Sequence, residues 1–184
     1  CLVASGGHSH IVQVEDWCKY HVLGRTVDDA AGEAFDKVAR TLGLPYPGGP
    51  SVSQAAKTGD PHYYKLPTPH VEGKYNVSFS GLKTAVVNLA HHAEQVGEPL
   101  DAPALARDFA QAVSDTLVPR VMEAAKQSGR TVIVAAGGVA ANSFIRAALE
   151  KECETHGYRL YLPPLKLCGD NGAMIGAQGY YEYL

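Results

Sequence analysis

The sequence predicts a mixed α/β domain, and three observations carry that prediction. Short alternating apolar runs open the chain, long stretches of helical period fill its middle, and strand and helix patterns alternate towards its end. At 184 residues and 46% hydrophobic composition, the chain can fill one substantial core or two small ones.

"CLVAS" and "SHIVQVED" read as two strands flanking the glycine turn Ser5-Gly6-Gly7, and "KYHVLGRTV" as a third, giving an antiparallel meander. "DDAAGEAFDKVARTLGL" switches to helical period: Ala31, Phe35, Val38 and Leu42 share a face, Asp28 or Asp29 can cap the start, and Gly43 can end it. "PYPGGPSVS" reads as a loop from its proline and glycine density, followed by a short helix in "SVSQAAKTG". Residues 60–79 show no clear period and read as an irregular surface excursion. "SGLKTAVVNLAHHAEQV" and "APALARDFAQAVSDTLVPRVMEAAKQSG" are two long helical patterns, the second with a bend expected at Pro119. "TVIVAAGGV" is a buried strand ending in Gly137-Gly138, "AANSFIRAALEKECETHG" a helix, "YRLYLPP" a strand and "CGDNGAMIGAQGYYEYL" a last helix. A meander and helix followed by β-α-β-α is the order of one lobe of the actin/Hsp70/sugar-kinase nucleotide-binding fold. Residues 1–50 would hold the meander, helix and glycine loop, 51–129 a largely helical insertion, and 130–184 the β-α-β-α unit.

With 19 acidic and 16 basic residues, the net charge of −3 argues against a stand-alone nucleic-acid binder, which needs a basic surface. It leaves room for a nucleic-acid enzyme that uses a local patch or a partner's charge. Cys1, Cys18, Cys153 and Cys168 share no CxxC spacing, so neither a zinc knuckle nor a disulfide framework is indicated, and a reducing cytoplasm is the expected compartment. No stretch has the length and apolarity of a membrane span, and no signal peptide is legible. A chain that opens inside a strand is expected to lack an N-terminal part.

Three glycine turns stand out: Ser5-Gly6-Gly7, Gly48-Gly49-Pro50 and Gly137-Gly138. Glycine has no Cβ, so its N–H can approach an anion, and successive N–H groups form an anion nest. A single such turn is most simply a hairpin or cap. Two at the ends of neighbouring strands mark the edge where α/β domains hold nucleotides, and that favours a phosphate cleft. Asp36 could hold a ribose by accepting from both hydroxyls, although its spacing alone favours a solvated acid paired with Arg40 one turn on. Asn142 is a nucleotide contact or a capping amide. Asp170 is a helix cap or a metal ligand, and one carboxylate is not a metal site. Among eight histidines no HExxH or HxxxH spacing occurs; His8 and His10, two apart on a strand, could chelate.

At these residues the sequence resembles a known family. "VASGGHS", "DDAAGEAFDKVARTLGLPYPGGP", "FSGLKT", "AAGGVAAN" and "CGDNGAMIG" are similar, in order and along the whole chain, to the signature blocks of TsaD. These are the tRNA N6-adenosine threonylcarbamoyltransferases, formerly called O-sialoglycoprotein endopeptidases. The resemblance implies a two-lobed actin/Hsp70-like enzyme that moves threonylcarbamoyl from threonylcarbamoyl-AMP to the N6 amine of the adenosine 3′ of the anticodon. It implies that Val3, Ala4, Ser5, Gly6 and Gly7 lie against the acyl-phosphate, that Asp36 holds the ribose, that Gly49 lines the nucleoside pocket and that Asn142 contacts the nucleotide. It further implies that Asp170 is one ligand of a single divalent ion, iron above all. Its two histidine partners would come from an HxxxH motif upstream of Cys1. The implied partners are tRNA, a scaffold paralogue (TsaB-like) and a small ATPase (TsaE-like). On this reading the chain is the C-terminal half of such an enzyme, without the first lobe, and is inactive alone. Two other readings are weaker. A non-catalytic scaffold paralogue would generally lack Asp36, Asp170 and "GGVAAN", and a metallopeptidase would need a zinc motif with a general base.

Overall fold

The computed structural model describes residues 1–184. Strands β1 (Leu2–Ala4), β2 (Ser9–Asp16) and β3 (Lys19–Arg25) form the expected meander, and β4 (Val132–Ala136) and β5 (Arg159–Tyr161) extend the sheet in parallel beyond β1. The five-stranded sheet has the order β3-β2-β1-β4-β5. Leu2 stands opposite Ile11 on one side and Ala135 on the other, so the short β1 is the centre of the sheet. Since β1 and β4 run the same way, the glycine turns that follow them emerge at one edge.

One face of the sheet is packed. Leu2, Ala4, Ile11, Ile133 and Ala135 are buried there, in period two, and join a single core with the helices. Helix α1 (Ala31–Thr41) buries Ala31, Ala34, Phe35 and Val38, the stripe its period predicts. Neither Asp28 nor Asp29 caps it, a correction to the sequence reading. Its N-cap, Ala30, has no hydrogen-bonding side chain, and Ser9 Oγ of β2 accepts the Ala31 N–H at 2.9 Å instead.

The two aspartates serve other elements. Asp28 accepts from the Phe79 N–H at 2.9 Å, the Ser80 N–H at 3.3 Å and the Ser78 and Ser80 hydroxyls, and so holds the start of α3 (Ser80–Val96). Asp29 pairs with Lys37 of α1 at 2.8 Å and Lys83 of α3 at 3.1 Å. Burial alone would raise the Asp28 carboxyl, but the hydrogen bonds from Ser78, Phe79 and Ser80 hold it below the usual carboxylate range. At Asp29 the Lys37 hydrogen bond is the chief cause of a lowered value, with Lys83 adding to it against burial.

The glycine-rich run at 48–50 is a second correction: it is the first turn of helix α2 (Gly48–Ala55), not a loop. First-turn N–H groups have no partner within a helix, so Pro50 fits there without loss. Residues 60–79 carry no helix or strand, and rejoin the sheet through one bridge between Thr26 and Val77. Asp108 holds this excursion by accepting the His62 N–H at 2.8 Å and the Tyr64 N–H at 2.6 Å.

Helix α4 (Ala102–Ser128) is capped by Asp101 and runs unbroken past Pro119 to Gly129, which takes the left-handed conformation. Leu105, Phe109, Val113, Leu117 and Val121 recur every fourth residue and are all buried, and Phe109 meets Phe35 edge-on at 5.2 Å. Asn142 caps helix α5 (Ser143–His156). Asn171, not Asp170, caps helix α6 (Gly172–Tyr183) by accepting the Met174 N–H. No residue of α6 is buried; it rests on the β2–β3 tip through a Trp17–Tyr181 stack at 3.5 Å. No helix is long and apolar enough to cross a membrane.

Candidate functional site

The edge where β1 and β4 end is built by close backbone approaches. In the first turn the Ser5 hydroxyl accepts the His8 N–H at 3.1 Å and the Gly7 N–H at 3.4 Å, which closes Ser5-Gly6-Gly7 on itself. Helix α1 begins directly against this turn: the Gly32 N–H donates to the Ser5 carbonyl at 3.1 Å, and a Cβ on Gly32 would stand 2.7 Å from that oxygen. At the end of β4, Gly137 adopts a φ of +93° and a Cβ there would strike the Ala4 carbonyl. The chain then forms a 3-10 turn over Gly138–Ala141 before Asn142, so the Gly137-Gly138 turn does not itself begin the α-helix, as the sequence had suggested.

Asp36 projects from the middle of α1. It makes no ion pair with Arg40; its Oδ1 accepts the Gly48 N–H at 2.7 Å, fastening the first turn of α2. This contact needs glycine, because a Cβ on Gly48 would lie 2.5 Å from the Asp36 Cα. Across from it, Asn142 Oδ1 accepts the Phe144 and Ile145 N–H groups while Nδ2 donates to Ser53 Oγ at 3.0 Å. Ser53 donates in turn to the Gly49 carbonyl at 2.7 Å. Asn142 is thus the capping amide that its position allowed, and it also joins α5 to α2.

These elements enclose a cleft of about 410 Å³ bordered by Gly6, Asp36, Gly49, Ser53, Gly138 and Asn142, with Phe35 and Val139 as apolar wall. All three glycine segments singled out in the sequence therefore reach one cavity, together with Asp36. Its only ionisable side chain is that carboxylate; no Lys, Arg or His lines it. An anion in this cleft would be met by main-chain N–H groups, which have no Cβ in front of them at Gly6, Gly49 and Gly138.

The other nominated residues stand apart. Val3 and Ala4 are committed to β1, and Ser5 and Gly7 shape the turn without lining the cleft. Asp170 is exposed ahead of α6 and has no companions: no group of three His, Cys, Asp or Glu side chains in the chain could hold a metal ion. The residues present do not fit a metal centre by themselves. His8 and His10 meet edge to face at 5.4 Å without a third donor, and burial, then His8 and Arg25, keep the His10 imidazole below its usual pKa. Ser53 is a hydrogen-bonding cleft residue that the sequence did not nominate. Its role depends on a contact 89 positions away, which no local pattern reveals.

A family model described as TsaD, tRNA N6-adenosine threonylcarbamoyltransferase, matches residues 1–177. Curated proteins of that name are similar over the whole chain. The one from Caldicellulosiruptor saccharolyticus is 48% identical over 183 residues, covering 100% of this chain and 54% of its own length. The one from Bacillus subtilis is 50% identical over 182 residues, covering 97% of this chain and 52% of its own length. The chain spans about half the length of the curated relatives it matches. Among solved structures, HypF of T. kodakarensis aligns with a TM-score of 0.62 at 21% identity, over 85% of this chain and 21% of that one. The activator of the 2-hydroxyisocaproyl-CoA dehydratase from Clostridium difficile, solved with bound ADPNP, aligns with a TM-score of 0.54 at 16% identity, over 99% of this chain and 60% of that one.

Fold and neighbours together define the class, an actin/Hsp70/sugar-kinase-like α/β fold with a cleft where its parallel strands end. Within that class the chain belongs to the TsaD family of tRNA N6-adenosine threonylcarbamoyltransferases.

Proposed function

We propose that this chain supplies the adenylate-gripping cleft of an enzyme that transfers threonylcarbamoyl from threonylcarbamoyl-AMP to tRNA. The acceptor is the N6 amine of the adenosine 3′ of the anticodon in tRNAs reading codons that begin with A. The observation that carries this reading is the meeting of Gly6, Asp36, Gly49, Gly138 and Asn142 around one cleft. A neighbour of the same fold holding ADPNP supports a nucleotide as occupant.

The chemistry suits the parts. The donor is a mixed carbamic-phosphoric anhydride. As the amine attacks the carbamoyl carbon, a C–N bond forms, the C–O bond to phosphate breaks, the amine sheds a proton, and AMP departs with the negative charge. The N–H groups of Gly6 and Gly138, which border the cleft, stabilise that charge without a cation, and Asp36 takes the ribose hydroxyls. No serine or cysteine nucleophile is required. Val3 and Ala4 act through the backbone, holding the first turn at the acyl-phosphate end. Asp170 is offered as one ligand of a divalent ion, iron by resemblance, whose other ligands lie outside this chain; no step is assigned to it. The net charge of −3 gives tRNA no broad basic face here, so its binding falls to further polypeptide or to partners such as a scaffold paralogue and a small ATPase. The setting of such a reaction is the cytoplasm. Alone, the chain binds nucleotide without completing transfer.

Titration calorimetry with AMP and ADP tests the reading. Asp36→Asn keeps an oxygen for the Gly48 N–H and removes the charge, and is expected to weaken binding about tenfold, the worth of one charge-assisted hydrogen bond. Unchanged affinity in that variant, or no uptake of either nucleotide at millimolar concentration by the parent chain, overturns it.

A further inference from the structure

His8 and His10 take no part in the nucleotide cleft, and they belong to a larger group. Side chains alternate along β2: Ser9 and Ile11 are buried on the packed face with Leu2 and Ala4, so His8 and His10 point to the opposite face. His10 is the direct partner of Arg25 on β3, and such partners stand about 5 Å apart at Cβ. His8 meets His10 edge to face at 5.4 Å. His8, His10 and Arg25 therefore form one basic patch, with Val3 of β1 beside His10 as its apolar flank.

The patch is not neutralised from within. No ion pair of the chain includes His8, His10 or Arg25. The neighbouring carboxylates are committed elsewhere. Asp28 serves Ser78, Phe79 and Ser80, Asp29 serves Lys37 and Lys83, and Glu15 pairs with His21 further along the hairpin. Burial, then His8 and Arg25, hold the His10 imidazole below its usual pKa, which is the mark of like charges crowded together. An oxyanion among the three relieves that crowding.

Patch and cleft lie on the two sides of one turn. Gly6 borders the cleft, which α1, α2 and α5 build against the packed face. His8, two residues on, belongs to the other face. The turn is fixed between them: the Ser5 N–H donates to the His8 carbonyl at 2.8 Å, and the His8 N–H donates to Ser5 Oγ at 3.1 Å.

We infer that His8, His10 and Arg25 seat a backbone phosphate of the acceptor RNA strand, and so present its adenosine amine to the acyl group at Gly6. This rests on the transfer reading of the cleft. With AMP on the packed side of the turn, the carbamoyl carbon is reached from the side that the leaving group does not fill, and the patch stands on that side. Two imidazoles and a guanidinium supply donors for a single tetrahedral oxyanion. It is the kind of local patch that a chain of net charge −3 can offer to nucleic acid without a broad basic face.

Nuclear magnetic resonance on the isotope-labelled full chain, titrated with an RNA hairpin bearing an anticodon loop, tests this. Saturable shifts are expected at the His8, His10 and Arg25 amides, and both imidazole ring-proton signals move downfield as the oxyanion favours the charged form. His10→Gln combined with Arg25→Gln is expected to weaken RNA binding about tenfold and to make its salt dependence shallower, with the thermal midpoint and AMP affinity unchanged. RNA shifts confined to other surfaces, or equal RNA affinity and salt dependence in the double variant, overturn the proposal. So does ADP moving the same three residues as strongly as RNA, which would assign the patch to the nucleotide's own phosphate chain. The cleft falls separately: these RNA shifts in a chain that takes up no AMP uphold the phosphate seat and overturn the cleft alone.

Discussion

The side-chain amide of Asn142 donates to Ser53 Oγ at 3.0 Å, and this one hydrogen bond joins the cap of α5 to the second turn of α2 across the proposed nucleotide cleft. Asn142 spends its oxygen on two helix N–H groups, so its nitrogen is oriented before any ligand arrives.

Ser53→Ala removes the acceptor and leaves the Asn142 N–H without its partner. A loss of about 1 kcal/mol in urea unfolding is expected. Ser53→Thr keeps the hydroxyl and is expected to recover most of it.

Gly48 and Gly49 are neighbours with opposite requirements. A Cβ on Gly48 would press on the Asp36 backbone, whereas one on Gly49 meets nothing within 4 Å. Gly48→Ala is expected to cost about 2 kcal/mol and lower the thermal midpoint by several degrees. Gly49→Ala leaves the midpoint unchanged and, by intruding on the cleft, weakens AMP binding in calorimetry.

Asp28 and Asp29 tie α3 to the chain ahead of α1, and both carboxyls titrate below their ordinary value of 3.8. The stability they add is complete above that value and drains away as pH falls through the lower native values. The unfolding midpoint is therefore expected to hold between about pH 5 and 7 and to fall below about pH 4. Asp28→Asn, which keeps an acceptor for the α3 N–H groups, shows a shallower acid loss. Asp28→Ala also removes the cap and costs about 1 kcal/mol at neutral pH.

The sequence announces what local chemistry governs. The β2 alternation, the Phe35–Val38 stripe and Gly43, left-handed just past the end of α1, all lie where their spacing says. It misleads where a distant group does the local work. Ser9 reaches 22 residues along the chain to serve the start of α1, which frees Asp28 to serve Phe79, 51 residues on. Gly48-Gly49-Pro50 has the composition of a loop yet folds as a helix start, because Asp36 and a proline-tolerant first turn supply what the side chains lack. Within the cleft the glycines and Asp36 were legible as residue types. Ser53 was not, since a serine in a short helix carries no signal until its partner is in place.

Trp17 is the only tryptophan in the chain, and its ring lies flat on Tyr181 of a helix that buries nothing. Its emission therefore reports whether the final helix is seated, not whether the core is intact. On heating, indole fluorescence should change before far-ultraviolet dichroism does, and the two curves should separate. A melt of this protein followed by fluorescence alone would record the departure of one helix as the unfolding of the whole.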